Sequence, residues 1–228
     1  MKTHFENLLL NIPNLVSLKT LDVGSGKGNF LIEAKQKGVD IVGVELNQSY
    51  ISETIKRAKE KGVLVDVRHG VAENLPFTDK SFNFVNVCEV IEHVEVPDKL
   101  LTEVHRVLVS GGRAYLSIPN RFGFFDPHFH LYLINWLPRS LAHLIIGLLG
   151  KHKDYSGPVG RQSILYMHYY TFCGIRKILR KRGFKVIDIR WRKIHERLNW
   201  PIRPIVILIY IVAREIYFNS FHLILVKE

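Results

Sequence analysis

A chain of 228 residues, 47% of them apolar, is long enough to bury a sizeable core in one α/β domain and to carry an inserted cap. Cys88 and Cys173 are far apart and belong to no Cys-x-x-Cys or His/Cys cluster, which argues against a disulfide framework and a zinc ribbon. The net charge of +11 favours an acidic partner, either nucleic acid or an anionic membrane surface. We find neither a signal peptide nor a run of about 20 apolar residues, and therefore expect a cytoplasmic protein that is soluble or peripheral to a membrane.

The first predicted strand ends in a glycine-rich turn. Residues 20–23 read as a buried strand, and Gly24, Gly26 and Gly28 follow it before a helical pattern begins. Glycines let the backbone turn tightly and let a ligand approach it closely. The spacing is G-x-G-x-G, with Asn29 where the dinucleotide-binding fingerprint has its last glycine. The turn therefore predicts a nucleoside-containing ligand other than a dinucleotide.

The stretch LDVGSGKG, residues 21–28, resembles motif I of the class I S-adenosylmethionine-dependent methyltransferases, and the resemblance is dense to about residue 118. The chain is similar in particular to the methyltransferase type 11 and ubiquinone-biosynthesis methyltransferases. This resemblance implies a doubly wound, Rossmann-like α/β sheet of seven strands, with the last strand antiparallel. It also implies S-adenosylmethionine as the cofactor and S-adenosylhomocysteine as the product, with the methionine end of the cofactor over Asp22, Gly24, Ser25, Gly26 and Gly28.

Glu45 is the predicted ribose ligand. It ends the second strand about 20 residues after Gly24, where a doubly wound sheet presents an acidic side chain to the two ribose hydroxyls. One carboxylate can accept both hydrogen bonds. A lone Glu at a strand end is otherwise a solvated cap, but its distance from the glycine turn favours the ribose role. Leu46, the next residue, is also predicted to lie against the cofactor.

The adenine is predicted to lie near Ala72 and Glu73. The segment over 69–77 resembles the methyltransferase segment whose backbone and side-chain groups contact the adenine edge. Val71 stands where members of the family often have Asp, so Glu73 or the backbone is expected to make that contact instead. Asn83 also replaces an Asp of the family, and we expect this to be a structural difference.

Polar residues follow the fourth strand directly. Cys88 and Glu89 are predicted to lie closest to the cofactor, because open α/β sheets bind ligands at the carboxyl ends of their strands. If the segment continues as a helix, Glu89, Glu92 and His93 share one face. His93 is a candidate catalytic base for a hydroxyl acceptor, and so is His168, where the chain returns to the common fold. The alternative for His93 is a structural histidine bonded to a carboxylate.

The E-x-x-E-H pattern at 89–93 also resembles that of the small-RNA 3′-terminal methyltransferases and the ubiquinone-biosynthesis O-methyltransferases, where it can bind Mg²⁺. The resemblance makes His168 the candidate fourth ligand. Two carboxylates and an imidazole can hold a divalent cation, but the same letters occur in relatives that bind no metal. We therefore predict no metal ligands and keep a divalent cation as an alternative that is not favoured.

Two insertions interrupt the predicted domain, which covers residues 1–228 as a single unit. The insertion at about 120–165 is rich in aromatic residues and leucine, so it is expected to form a lid over the site or to touch lipid, and to determine acceptor specificity. The insertion at about 191–219 separates the sixth strand from the last. The predicted helices cover residues 3–11, 27–37, 47–61, 97–108 and about 172–182, and the strands cover 20–23, 39–45, 63–67, 81–88, 113–118, 184–189 and 221–226.

The second insertion contains an apolar segment next to basic residues. Residues 201–214 are strongly apolar but too short to span a bilayer, and residues 176–203 contain 11 Lys and Arg against only Asp188 and Glu196. Basic residues beside an apolar segment suit an interfacial membrane contact. The alternative is a core helix under a solvated basic face. For this segment alone the two are balanced, and the aromatic first insertion favours the membrane.

These features predict a methyltransferase that acts on a small or lipophilic acceptor associated with a membrane, such as a quinone precursor, a lipid-linked sugar or a lipid head group. One alternative is RNA 2′-O or end methylation, which the basic charge allows, although no RNA-binding module is recognised. The other is a non-catalytic scaffold that binds the cofactor. The expected partners are thus a small-molecule or lipid acceptor and an anionic membrane surface, and nucleic acid is less favoured.

Overall fold

The computed structural model describes residues 2–151, 162–198 and 201–228. Its strands are β1 (Thr20–Val23), β2 (Ile41–Glu45), β3 (Asp66–His69), β4 (Phe82–Val87), β5 (Leu108–Pro119), β6 (Phe125–Asp126), β7 (Leu131–Tyr132), β8 (Phe184–Asp188) and β9 (Ser220–Lys227). Seven of them form one sheet in the order β3-β2-β1-β4-β5-β9-β8, and β6 pairs with β7 in a separate hairpin. Strands β1 to β5 are parallel to one another, whereas β9 is antiparallel to both β5 and β8. The predicted seven-stranded sheet with an antiparallel last strand is confirmed.

Helices connect these strands, and their starts are encoded locally. Asn47 accepts a hydrogen bond from the Ser49 amide at the start of one helix, Thr171 accepts one from the Gly174 amide at another, and Pro97 occupies the first turn of a third. The helices are α1 (His4–Leu9), α2 (Asn29–Gln36), α3 (Gln48–Glu60), α4 (Pro97–Val107), α5 (Arg139–Leu148), α6 (Phe172–Lys181), α7 (Ile189–Arg197) and α8 (Arg203–Ile216).

Two strands differ from their predicted bounds by more than two residues at one end. Strand β3 covers residues 66–69 instead of 63–67. Asp66 pairs with Val42, near the start of β2. Residues 63 and 64 would therefore lie opposite positions before β2 begins, where there is no strand to pair with. Strand β5 begins at Leu108 instead of 113. It continues through the glycine pair at 111–112, with a register shift against β4.

Buried apolar residues cover both faces of the sheet. On one face α4 and α6 contribute Leu100, Val104, Ile175 and Leu179 to the larger core cluster. On the other face α1 and α2 contribute residues such as Phe5 and Leu31 to a second cluster. The sheet is therefore buried on both sides, and its carboxyl edge is the part left for a ligand.

The two insertions add structure outside the sheet. We call residues 120–151 and 162–167 the cap; it contains β6, β7, a 3-10 helix at Ile134–Trp136 and α5, and it has an apolar core of its own that includes Phe129, Ile146 and Met167. The second insertion forms α7 and α8. In the part of the chain that the structure describes, no helix has both the length and the apolar character that a membrane crossing requires.

Candidate active site

A cavity of about 650 Å³ opens at the carboxyl ends of β1, β2 and β4. Strand β1 lies between the other two, at the point where the order of the sheet reverses, which is where doubly wound folds bind ligands. Of the predicted site residues, Asp22, Ser25, Gly28 and His168 are not in its lining. Those that do line it are Gly24, Gly26, Glu45, Leu46, Ala72, Glu73, Cys88, Glu89 and His93.

The glycine turn has two positions where only glycine fits. Gly24 has φ +66°, and a Cβ there would lie 2.6 Å from Val90 Cγ2, so the turn passes against the wall of the cavity. Gly28 has φ +74°, and a Cβ there would collide with Thr54 of α3. Gly28 thus lets α3 pack on the turn, while Gly24 borders the cavity. Between them, the Ser25 hydroxyl is buried and has no hydrogen-bond partner among the residues that the structure describes.

Glu45 is held rigidly at the cavity. Its Oε2 accepts a hydrogen bond from the Gly26 amide at 2.7 Å, and its Oε1 accepts one from the Asn47 amide at 2.9 Å. A carboxylate has about four acceptor positions, so lone pairs remain on both oxygens for a ribose diol. These features together fit S-adenosylmethionine: the volume of the cavity, the glycine that borders it, and this fixed carboxylate.

Asp22 lies beneath the cavity instead of in its wall. Its Oδ1 accepts a hydrogen bond from Asn86 Nδ2 at 2.7 Å, and Asn86 Oδ1 is 2.9 Å from His4 Nε2 of α1. Burial raises the pKa of Asp22 to about 7, the charge of Glu45 adds to this rise, and the hydrogen bond from Asn86 opposes it. Asp22 therefore links β1, β4 and α1, and its carboxyl group titrates near neutral pH.

Glu73 and Cys88 both border the cavity. Glu73 Oε1 accepts a hydrogen bond from the Glu95 amide at 2.8 Å, which fixes the chain after His93 beside the cavity. Burial raises the pKa of the Cys88 thiol to about 12, and the charge of Glu89 contributes to the increase. Cys88 is therefore a neutral thiol at physiological pH and contributes shape to the cavity instead of a nucleophile.

The segment after β4 is a turn and does not continue as a helix. Glu89 adopts φ +56°, and its amide donates a hydrogen bond to Ser117 Oγ at 2.7 Å. This left-handed residue ends the strand and prevents a helix from starting. Glu89, Glu92 and His93 therefore do not share one helical face.

Glu92, His93 and His128 form a cluster at the junction with the cap. Glu92 is only 2% exposed, and its Oε1 lies 3.8 Å from His93 Nε2 and 3.7 Å from His128 Nε2. Within the described part of the chain, its Oε2 has no hydrogen-bond partner. One ligand atom from each of the three lies within 4.8 Å of the others. Such a set could hold a divalent metal that accepts imidazole, such as Zn²⁺, better than Mg²⁺. Glu89 and His168 are not members of this cluster.

His128 is the site residue that the sequence did not reveal. Asp126 Oδ1 accepts a hydrogen bond from the His128 amide at 2.8 Å, and Tyr169 Oη donates one to Asp126 Oδ2 at 2.7 Å. Burial alone would raise the pKa of Asp126, but His128 and Tyr169 lower it to about 2. The local signal in the sequence is an Asp two residues before a His. This pattern predicts a turn, but it does not predict that the histidine lies beside Glu92.

His93 connects the cavity to the cap. Its Nδ1 is hydrogen-bonded to Gln162 Oε1, and Gln162 Nε2 donates to the His93 carbonyl at 3.2 Å. His168 lies on the other side of Glu92, where its amide donates to the Glu92 carbonyl at 3.1 Å. Of the two histidines proposed as a base, His93 is the one in the cavity wall.

Comparison with known proteins agrees with this geometry. A family profile described as "Methyltransferase domain" matches residues 21–116. The ubiquinone biosynthesis O-methyltransferase of Pseudomonas syringae pv. tomato is 32% identical over 136 residues, which are 56% of each chain. The ubiquinone/menaquinone biosynthesis C-methyltransferase of Bartonella bacilliformis is 27% identical and covers 76% of this chain and 74% of its own. An S-adenosylmethionine-dependent methyltransferase structure from Mesorhizobium loti superposes with a TM-score of 0.63 at 16% identity, covering 97% of this chain and 96% of its own.

The methyltransferase-domain match over residues 21–116, together with the fold and the cavity, supports a class I S-adenosylmethionine-dependent methyltransferase. S-adenosylmethionine is its cofactor, as the resemblance of the glycine turn to motif I implied. The resemblance to the ubiquinone-biosynthesis O-methyltransferases is regional, because the chain spans about half the length of the first of these relatives.

Proposed function

We propose that the protein methylates a hydroxyl group of a small lipophilic acceptor, with a quinone precursor as the first choice within a class that includes lipid-linked sugars and lipid head groups. The observation that carries the proposal is the position of His93, which lines the cofactor cavity and contacts Gln162 of the cap. Gln162 of the cap also lines the cavity, so an apolar acceptor seated between the cap and the cofactor would present its hydroxyl to His93.

Residues at the site can position the cofactor and accept the proton that the acceptor loses on methyl transfer. Bound S-adenosylmethionine supplies an activated methyl group. Glu45 and the glycine turn position the nucleoside, since an in-line displacement depends mainly on alignment. If the amide of Gln162 is oriented as described, the proton of His93 is on Nδ1, and Nε2 accepts the proton of the acceptor hydroxyl. Glu92, 3.8 Å from Nε2, stabilises the resulting imidazolium.

The relatives support the choice of acceptor class. One is named for O-methylation and another for C-methylation in quinone biosynthesis, so both a hydroxyl and a ring carbon of a quinone precursor are chemically related targets. A base at His93 favours the hydroxyl, because removing its proton makes the attacking oxygen a stronger nucleophile, whereas a ring carbon loses its proton only after the attack.

The test compares a prenylated catechol, the same catechol without its prenyl chain, and bulk RNA as methyl acceptors. We expect methyl transfer from labelled S-adenosylmethionine to a catechol oxygen, faster for the prenylated form, and a loss of at least about a hundredfold in kcat in His93→Gln with binding of S-adenosylhomocysteine retained. The exposed His143 of α5 provides the matched control, His143→Gln, which should keep full activity. If the label appeared in RNA and not in the catechols, the proposed class of acceptor would be wrong. If the protein bound the cofactor but transferred no methyl group to any component of a cell extract, a non-catalytic scaffold would be favoured.

A further inference from the structure

Helix α8 has an apolar stripe that faces solvent. Ile205, Leu208, Ile209, Val212 and Ile216 recur at helical spacing along one face, and each is between 44 and 65% exposed. A helix of a globular protein normally turns such a stripe towards the core. In this chain the stripe forms a continuous apolar surface outside the core.

Polar contacts fix α8 in this rotation. Tyr210, on the opposite face, is buried and donates a hydrogen bond to Asp188 Oδ2 at 2.6 Å. At the end of the helix, Asn120 Nδ2 donates to the carbonyls of Arg214, Glu215 and Phe218 at 2.8 to 3.1 Å. A rotation that buried the stripe would break all of these bonds, so the exposed stripe is part of the folded state.

The apolar surface continues from α8 onto the cap. Tyr217 follows α8 and stacks on Phe124 with a ring distance of 6.0 Å, and Phe124 contacts Tyr132 at 5.5 Å. All three are exposed, as is Leu133. We call the α8 stripe together with Phe124, Tyr132, Leu133 and Tyr217 the apolar face. Its tyrosines have an apolar body and a polar tip, which suits the boundary between lipid and water.

Cations lie at the amino-terminal end of this face. Arg203, the first residue of α8, donates a hydrogen bond to the carbonyl of Leu198, which directly follows α7. Helix α7 carries Lys193 and Arg197; burial and then the positive charges of its neighbours, Arg197 foremost, lower the pKa of Lys193. Positive charge therefore lies next to the amino-terminal end of the apolar face, and the acid of α7, Glu196, lies 3.6 Å from Arg192.

We propose that the apolar face and the cations of α7 dock the protein on the surface of an anionic phospholipid bilayer. Helix α8 has 14 residues and is about 21 Å long, shorter than the ~30 Å hydrocarbon layer, so it lies in the plane of the interface. Its apolar side chains enter the acyl boundary, and the cations contact lipid phosphates. This inference does not depend on which acceptor is methylated.

A second copy of the chain is a poorer occupant of this face. A two-fold interface would place the same surface on both subunits and bring two chains of like charge into contact. With a net charge of +11 per chain, this contact would add repulsion, whereas anionic lipid neutralises the charge.

The experiment is sedimentation with vesicles of phosphatidylcholine, with and without phosphatidylglycerol. We expect the wild type to bind vesicles that contain phosphatidylglycerol and to release them as salt increases. Leu208→Glu with Val212→Glu should weaken binding at least tenfold. Leu64→Glu is the matched control, because Leu64 is exposed before β3, at the opposite edge of the sheet from β8, and should leave binding unchanged.

Three results would overturn the proposal. The first is a wild type that stays in the supernatant with anionic vesicles. The second is a stripe variant that binds as well as the wild type while its circular dichroism and Tm show an intact fold. The third is a wild-type dimer that the stripe variant converts to monomer without any vesicle binding, which would assign the face to a second copy.

Discussion

Cofactor binding depends on single residues, and Glu45 is the first to test. Glu45→Ala removes the acceptors for the ribose diol and for the Gly26 and Asn47 amides. Hydrogen bonds to a charged group contribute about 1.5–3 kcal/mol, so we expect S-adenosylhomocysteine to bind at least tenfold more weakly in isothermal titration. Glu60→Ala, at the exposed end of α3, is the control and should bind as the wild type does. Equal affinity in Glu45→Ala would exclude Glu45 as the ribose ligand.

Asp22 should make the stability of the protein depend on pH. Its pKa is about 7 in the folded state, against an ordinary value of 3.8 for an aspartic acid side chain, so between these values the folded protein holds a proton that the unfolded chain has lost. The free energy of unfolding therefore falls as pH rises from about 4 to 7. Asp22→Asn keeps an oxygen for Asn86 Nδ2 but cannot ionise. Relative to the wild type it should gain stability over this range, by up to about 4 kcal/mol at pH 8.

The measurement is denaturant unfolding of both proteins at pH 5 and pH 8. A difference in free energy between Asp22→Asn and the wild type that is the same at both pH values would show that Asp22 is ionised throughout. A large loss of S-adenosylhomocysteine affinity in Asp22→Asn would restore the sequence-based prediction that Asp22 contacts the methionine end of the cofactor.

At the scale of elements, one buried amide joins the sheet to the second insertion. Asn120 follows β5, is fully buried, and donates from Nδ2 to three carbonyls at the end of α8. Carbonyls in the last turn of a helix have no partners within the helix, so this side chain satisfies groups that would otherwise be buried without a hydrogen bond.

Substitution of Asn120 should therefore release α8 from the sheet. We expect Asn120→Ala to lower the free energy of unfolding by about 1–3 kcal/mol, and Asn120→Asp to lower it more, because a carboxylate cannot donate and would face three carbonyl oxygens. Hydrogen exchange followed by mass spectrometry should show faster exchange in 203–216 but not in β1 or β4. Asn83→Ala, at an exposed position of β4, is the control. Unchanged exchange in α8 would mean that the side chain of Asn120 does not hold the helix.

The sequence predicted the elements that carry local signals. The strand ending at Val23, the glycine turn and Glu45 belong to one short pattern, and the structure brings them together at one cavity. Whether a helix follows β4 could not be decided from the sequence, because the turn there depends on a contact between Glu89 and the distant Ser117. His128 was missed for the same reason: its neighbour Glu92 lies far away in sequence.

Helix α8 illustrates a different limit. The sequence shows that its apolar residues recur at helical spacing. This pattern alone does not determine whether that face of the helix contacts the core or the solvent. The orientation is determined by Tyr210, Asp188 and Asn120, which come from three separate elements. The sequence therefore predicts the helix and its stripe, and tertiary contacts determine where the stripe points.

At the scale of the whole molecule, apolar packing is divided between the sheet and the cap. The sheet is covered by two clusters that include most of the buried residues, whereas the cap has a small cluster around Phe129, Ile134 and Ile146. Polar contacts such as Glu92 with His128 join the two parts. A region with few buried apolar contacts opens at a lower free energy than the whole protein does, so we expect the cap to open before the sheet unfolds.

Matched alanine substitutions in the main core and in the cap core can distinguish the stability of the sheet from that of the cap. Leu100→Ala, in the main core, should lower the global free energy of unfolding by about 2–5 kcal/mol and speed exchange everywhere. Ile146→Ala removes a similar side chain from the cap core. It should accelerate exchange in 139–148 while global unfolding in denaturant changes by less than about 1 kcal/mol, because the sheet remains folded after the cap has opened. Equal global effects of the two substitutions would instead show that cap and sheet unfold as one unit. An acceptor could then enter only by local motion of side chains, since opening the cap would require the cofactor site to unfold with it.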